Sequence, residues 1–225
     1  SVFPNGLTLI TERVREFRGL SMGIWVRVGT RNERSHEAGI SHFLEHMLFK
    51  GTTHRKTIHV LNHLEVVGGE LNAYTTKEIT TIYGTTQSKH LSRLTDILCD
   101  VVFRSTFPAV ELEKEKKVIV DEINMYLDTP EENIFDEFQE RIFEGHPLAH
   151  NILGTADSVN LIQQSDLQRF VEAHYRFDNM VFSVVGNVSI ERVLLVLDRF
   201  LPKVEWSSAK VDETHSAFKP LQPFH

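Results

Sequence analysis

In the stretch GISHFLEHMLFKGT, Gly39 to Thr52, two imidazoles and a carboxylate fall within five residues of an otherwise apolar run. On an α-helix His42 and His46 stand at i and i+4, so their side chains lie one above the other on one face. Two neutral imidazoles so placed can ligate one metal ion. Glu45 sits close enough to that face to reach a water activated by the metal. Zinc suits this donor set, since it takes nitrogen and carboxylate ligands and leaves a fourth position open. The plainer alternative is a pair of core-edge histidines that only hydrogen-bond, and an arbitrary His-x-x-x-His helix would be read that way. Glu45 shifts the balance, because an unpaired carboxylate in an apolar helix is expensive.

A catalytic zinc needs a third protein ligand, and the long helix expected over residues 111–127 offers two candidates. Its apolar stripe is read as Leu112, Val118, Ile119, Met125 and Tyr126. Glu115 and Glu122 stand seven residues apart, two helical turns, on that same stripe. Either could complete the metal site, and either could instead form an ion pair with Lys or Arg at the core edge. Helical periodicity does not choose between them. Glu111, Glu113 and Asp121 project elsewhere as solvated charges. His36, His54, His59, His63, His90, His146 and His150 have no motif geometry and are read as surface or capping residues.

The elements that must position these groups are legible in outline. Gly6–Val14 and Leu20–Thr30 are rich in β-branched and aromatic residues and read as strands. A helix beginning near Glu37 carries the motif and ends near Lys50-Gly51. KTIHVLNHLEVVGG has helical spacing closed by glycine. GELNAYTTKEITTIYGTTQ returns to strand chemistry. Helices then dominate: one through Leu91–Val102, the long one stopping before Pro130, and one over 131–144. Two more are expected with Asp157 and Ser165 as N-caps. Asn179–Val188 reads as a central strand, followed by a helix capped by Ser189. Strands at both ends with helices between and after predict an α+β fold, a mixed or antiparallel sheet packed against several helices.

The Asn72-Ala73 pair follows Gly68-Gly69 and has short side chains. A strand of that kind suits an exposed edge onto which a peptide adds as a further strand, so both residues are candidate substrate-binding positions. The glycines serve equally well as a helix cap.

At 225 residues the chain can bury a full-sized core, and 41% hydrophobic with 24% charged residues is ordinary for a globular protein. A formal net charge of −7 gives no electrostatic support for nucleic-acid binding. No apolar run approaches the roughly 20 residues of a membrane span. A single cysteine, Cys99, means no internal disulfide and a metal site built from His, Asp or Glu. SVFPNGLTLI reads as a strand entered from a turn, as at a mature or trimmed terminus. The lack of a visible signal fits bacterial cytoplasm, or a mitochondrial or periplasmic protein whose leader was removed. Residues 1–202 are expected to form one domain, with 203–225 a linker or cut end.

HFLEHMLFKGT resembles the pitrilysin-like (M16) metallopeptidases, whose H-x-x-E-H signature defines the inverzincins. GGELNAYTTKEITTIYG, EKKVIVDEINMYLDTPEE and HPLAHNILGT are also similar to sequences of that family. The resemblance runs from Pro4 to about Pro202 and is nearest to the bacterial and mitochondrial-processing branch. It implies half of a two-domain clamshell. It also implies zinc held by His42, His46 and Glu122, which lies 76 residues after His46. Glu45 would be the general base, and Glu115, one heptad before Glu122, would orient a ligand histidine or the water. The implied activity is endopeptidase cleavage of extended or unfolded peptides. The alternative is a non-catalytic or partner-dependent subunit of such an assembly. Family members close their site between two homologous halves and only the metal-binding half is present here. The expected partner is therefore a second half, in the same chain, in a separate subunit or as a homodimer.

Overall fold

The computed structural model describes residues 1–203, and nearly all of the expected linker lies outside the described residues. Five strands form one mixed sheet: β1 (Thr8–Arg13), β2 (Gly19–Val26), β3 (Glu70–Thr75), β4 (Thr80–Gln87) and β5 (Met180–Gly186). Their order is β1-β5-β2-β4-β3, with β1 and β5 parallel and every other pair antiparallel. The α+β expectation holds. β2 is shorter than its β-rich sequence suggests because it stops at Val26, opposite the first residues of β4 (Thr80) and β5 (Met180).

Alternation sets the two faces of the sheet. Leu20, Met22, Ile24 and Val26 of β2, with Met180, Phe182 and Val184 of β5, point into the core. Trp25 and Val185 lie on the open face, where Trp25 Nε1 donates to Ser183 Oγ at 3.0 Å. The buried face is covered by helices. α1 (Ile40–Leu48), α2 (Thr57–Glu65) and α3 (Leu91–Phe103) precede the long α4 (Ala109–Leu127) and α5 (Pro130–Ile142). α6 (Ala156–Leu161), α7 (Gln164–His174) and α8 (Ile190–Phe200) complete the set. α3 packs on β2, β4 and α8, while α1 bridges β3 and α4. Among the described residues no helix is long and apolar enough to cross a membrane.

The two edges of the sheet differ. Outside β1 the first residues fold back, with a Val2–Thr8 bridge and the Leu9 N–H donating to Ser1 O at 2.7 Å. Outside β3 no strand pairs among the described residues.

Two helix caps differ from expectation. α6 and α7 are capped by Thr155 and Gln163, not by Asp157 and Ser165, which lie inside the first turns. Thr155 Oγ1 accepts from the Ser158 N–H at 3.1 Å, and the Asp166 carboxylate reaches back to the Gln163 N–H at 2.7 Å. Ser189 caps α8 as expected, accepting from the Arg192 N–H.

Candidate metal centre

α1 is anchored by the residues that surround its polar ones: Ile40, Phe43, Leu44, Met47 and Leu48 are all buried. It starts three residues later than expected because Gly39 adopts φ +86°, a left-handed conformation that breaks it from the short turn at Ser35–Glu37. A Cβ at Gly39 would stand 2.5 Å from Leu153 O, so glycine is also required for close packing there. The orphan amides of this helix end go to Glu33, whose two oxygens accept from the Gly39 and Ser41 N–H groups, each at 2.8 Å. Burial pushes the Glu33 carboxyl up to about 7, against the lowering effect of these hydrogen bonds. Nothing in the polar run around Glu33 signals this role in the sequence.

α4 lies against α1 and presents Leu112, Glu115, Lys116, Ile119 and Ile123 as its buried face. This corrects the expected stripe. Val118 and Met125 are 47% and 59% exposed, because they sit one step around the helix on the open side, flanking Glu122. Ile123, missed in the sequence, takes their place in the core.

The ligand atoms converge. His42 Nε2 lies 3.7 Å and His46 Nε2 3.6 Å from Glu122 Oε2. His42, His46 and Glu122 are the one group of His, Cys, Asp or Glu among the described residues whose donor atoms all lie within 4.8 Å of one another. Bonds of about 2.0–2.2 Å at tetrahedral angles would set ligand atoms about 3.3–3.6 Å apart, so the cluster is near the size zinc requires. The protonation chemistry fits as well. Burial, with the neighbouring His46, pushes the His42 imidazole down to about 3, which leaves it neutral and a ligand at neutral pH. Its Nδ1 is buried without a hydrogen bond among the described residues.

The two glutamates of α4 separate here. Glu115 Oε2 lies 3.1 Å from His46 Nδ1. A carboxylate only accepts, so the ring donates its Nδ1–H and turns Nε2 towards Glu122. The other oxygen of Glu115 meets Lys50 Nζ at 2.6 Å. Glu115 therefore also has the lysine partner that the plainer reading allowed. Lys50 itself was missed, although it continues the His42, His46 spacing by a further four residues.

Glu45 stands between two hollows. One, of about 420 Å³, is lined by His42, Glu45, Tyr74, Thr75, Glu122 and their neighbours. The other, of about 250 Å³, is lined by Glu45, His46, Phe49, Lys50, Leu61 and Glu115. Burial raises the Glu45 carboxyl above its ordinary range, partly opposed by hydrogen bonds from Thr75 at the end of β3. Asn72 is exposed on β3 and Ala73 is buried, so only the backbone of Ala73 can meet a ligand, and its N–H donates to Asn72 Oδ1 at 2.8 Å. Gly68, at φ +69°, and Gly69 close α2, the Gly69 N–H donating to Leu64 O at 2.9 Å. The glycines thus do cap the helix.

Residues 11–156 match the family described as Insulinase (Peptidase family M16). The chain belongs to peptidase family M16. Residues 162–225 match the Peptidase M16 inactive domain. The break between these matches is not a break in the M16 chain's structure, since β5, from the second, lies between β1 and β2 of the first. An uncharacterized zinc protease of Bacillus subtilis is 35% identical over 201 residues, 89% of this chain and 47% of its own. The mitochondrial-processing peptidase subunit beta of Caenorhabditis elegans is 29% identical and covers 99% of this chain with 48% of its own. The M16 chain thus spans about half the length of these curated relatives. A protease from Helicobacter pylori shares the fold with a TM-score of 0.84 at 22% identity, over all of this chain and 52% of that one. The periplasmic protease PqqL of Escherichia coli does so with 0.81 at 24%, over 91% and 23%.

Proposed function

We propose that this chain is the metal-binding half of a zinc-dependent endopeptidase that hydrolyses extended or unfolded peptides. The observation that carries the reading is the approach of both histidine Nε2 atoms to Glu122 Oε2, with the raised carboxyl of Glu45 beside them. His42, His46 and Glu122 would hold the zinc, in keeping with relatives named zinc proteases. When bound, zinc supplies Lewis acidity, polarising the scissile carbonyl and lowering the pKa of an attacking water from about 15.7 towards about 7. Glu45 takes the proton from that water and returns it to the leaving amine, a task suited to a carboxyl above its ordinary pKa. Glu115 holds the His46 ring. The silent-subunit alternative leaves Glu45 without a purpose.

The substrate adds to β3 as a further strand, its backbone recognised by the edge at Asn72 and Ala73. A hollow of about 330 Å³ beside Phe49, Leu61 and Glu70–Asn72 extends the path along that edge. Residues 1–202 act as one domain, supported by the position of β5 inside the sheet and of α8 on α3. The partner is a second M16 half, in the same polypeptide or a separate subunit, in keeping with the doubled length of the relatives. The test is metal analysis joined to a peptide-cleavage assay, with and without a complementary half. One zinc per chain, and cleavage that rises sharply when the half is added, is the expected result. Absence of stoichiometric zinc overturns the metal reading, and efficient cleavage unaffected by the second half overturns the partner.

A further inference from the structure

Lys50 lies two residues beyond the end of α1, where a lysine would ordinarily be a solvated charge near a helix C-terminus. Here it is held. The Lys50 carbonyl accepts from Thr57 Oγ1 at 2.9 Å. Gly51, at φ +127°, turns the chain, and its carbonyl accepts from the Thr106 N–H at 3.1 Å. Thr52 Oγ1 donates to the fully buried Asp100 at 2.7 Å, and Arg55 Nη1 donates to the same oxygen at 2.6 Å. The backbone on both sides of Lys50 is therefore fixed to α2, α3 and the turn before α4. The ammonium is delivered to one oxygen of Glu115 while the other oxygen faces His46 Nδ1.

We propose that Lys50 is a positioning residue for the metal centre: it pins Glu115, and through Glu115 fixes the His46 ring with Nε2 turned to the metal. The proposal rests on the reading of His46 as a zinc ligand. The side chain of Glu115 is only 7% exposed, and a buried carboxylate keeps one rotamer at low cost only where both its charge and its lone pairs are answered. Lys50 answers the charge and leaves the second oxygen free for the imidazole. This is also what divides the labour between the two glutamates of α4. Glu115 has both oxygens engaged on the far side of the His46 ring, while Glu122 faces the two Nε2 atoms.

The direction of the effect separates positioning from charge. A cation near a zinc site repels the ion, so if Lys50 acted only as a charge, its removal would tighten zinc binding. If it positions Glu115, removal loosens it. The experiment compares the full-length protein with Lys50→Met, Lys50→Gln and Lys50→Arg. Zinc affinity is read by competition with a chromophoric chelator, and the His46 tautomer by nitrogen–proton correlation on histidine-labelled, zinc-loaded protein. In the parent, His46 should show a protected Nδ1–H. Lys50→Met and Lys50→Gln should lose that protection and weaken zinc binding about tenfold, as loss of a group that orients a ligand does. Lys50→Arg should restore both. A protected Nδ1–H that persists in Lys50→Met, or zinc binding that is unchanged or tighter, overturns the proposal. So does unfolding of both neutral variants, which would make Lys50 a fold residue. A parent that binds no zinc fails the metal reading itself, a result distinct from any of these.

Discussion

Two groups of acids and histidines lie within one chain, and only one of them is arranged to take a metal. Beside α3, Asp96 and Asp100 meet Arg55 at 2.5 and 2.6 Å, Thr52 donates to Asp100, and His54 Nδ1 stands 3.1 Å from its other oxygen. Between α1 and α4, the Glu122 oxygen faces two imidazoles and no guanidinium or ammonium among the described residues. The first group sets two guanidiniums, Arg55 and Arg104, the latter 3.8 Å from Asp100, against its two carboxylates. The second brings lone pairs together without a cation of its own. Acid and histidine content therefore does not identify a metal centre; convergence of donors without a protein cation does. Glu115 lies between these cases, with a lysine on one oxygen and the His46 imidazole on the other.

The comparison can be broken in four places. The largest effect is expected at Glu45, where Glu45→Gln should lower turnover of the assembled enzyme by about 10²–10⁴-fold while one zinc per chain is retained. Glu122→Gln should instead lose the metal, and the reverse pattern would exchange the two roles. Next comes the internally balanced cluster. Asp100→Ala leaves Arg55 with Asp96 alone and Thr52 Oγ1 without its acceptor, and should cost about 1–3 kcal/mol in denaturant unfolding, with zinc stoichiometry of the folded protein unchanged. Loss of zinc without loss of stability would mean the cluster belongs to the metal site. Glu115→Gln should weaken zinc affinity by about 10–100-fold without abolishing binding. Full depletion would make Glu115 a ligand.

The smallest effect concerns Glu33, a third buried carboxylate, answered by two backbone amides and by no cation among the described residues. Its carboxyl is pushed from 4.5 up to about 7 by burial, with Glu37 adding to the rise. The folded state thus binds this proton more tightly than the unfolded state. Stability from this group is complete below the unfolded value and is lost as pH rises through the folded one. Unfolding midpoints from acid to neutral pH should fall less steeply in Glu33→Gln than in the parent. An identical pH profile would remove Glu33 from the account.

The chemistry was more legible than the frame. His42, Glu45 and His46 share one helical turn, so local geometry alone brings them together. Glu115 and Glu122 were both offered by the helix stripe, but the choice between them came from a resemblance, since a helix face is too broad for periodicity to choose between residues two turns apart. What sets their surroundings apart is side-chain direction and the lysine from another element, which no spacing rule carries. The same width misplaced Val118 and Met125. Strands were recognisable from composition, but the pairing of residues 8–13 with 181–186 joins segments far apart in the chain, and no local signal encodes it. Asp100 did leave a trace: an acid set among Leu98, Cys99, Val101 and Val102 is out of place unless something answers it.

The edge of β3, unpaired among the described residues, has a consequence for self-association. An unpaired row of amides and carbonyls welcomes any extended chain, including the same strand of another molecule, and such edges seed self-association. β1 escapes this because the residues before it fold over its edge. β3 is only six residues long and begins at the exposed Glu70. The Asn72 amide also occupies the Ala73 N–H. The short span and the charge at its start discourage an identical strand. The Asn72 contact is a single neutral hydrogen bond that a peptide able to supply several can displace. An edge so short and so charged is a poor template for its own kind.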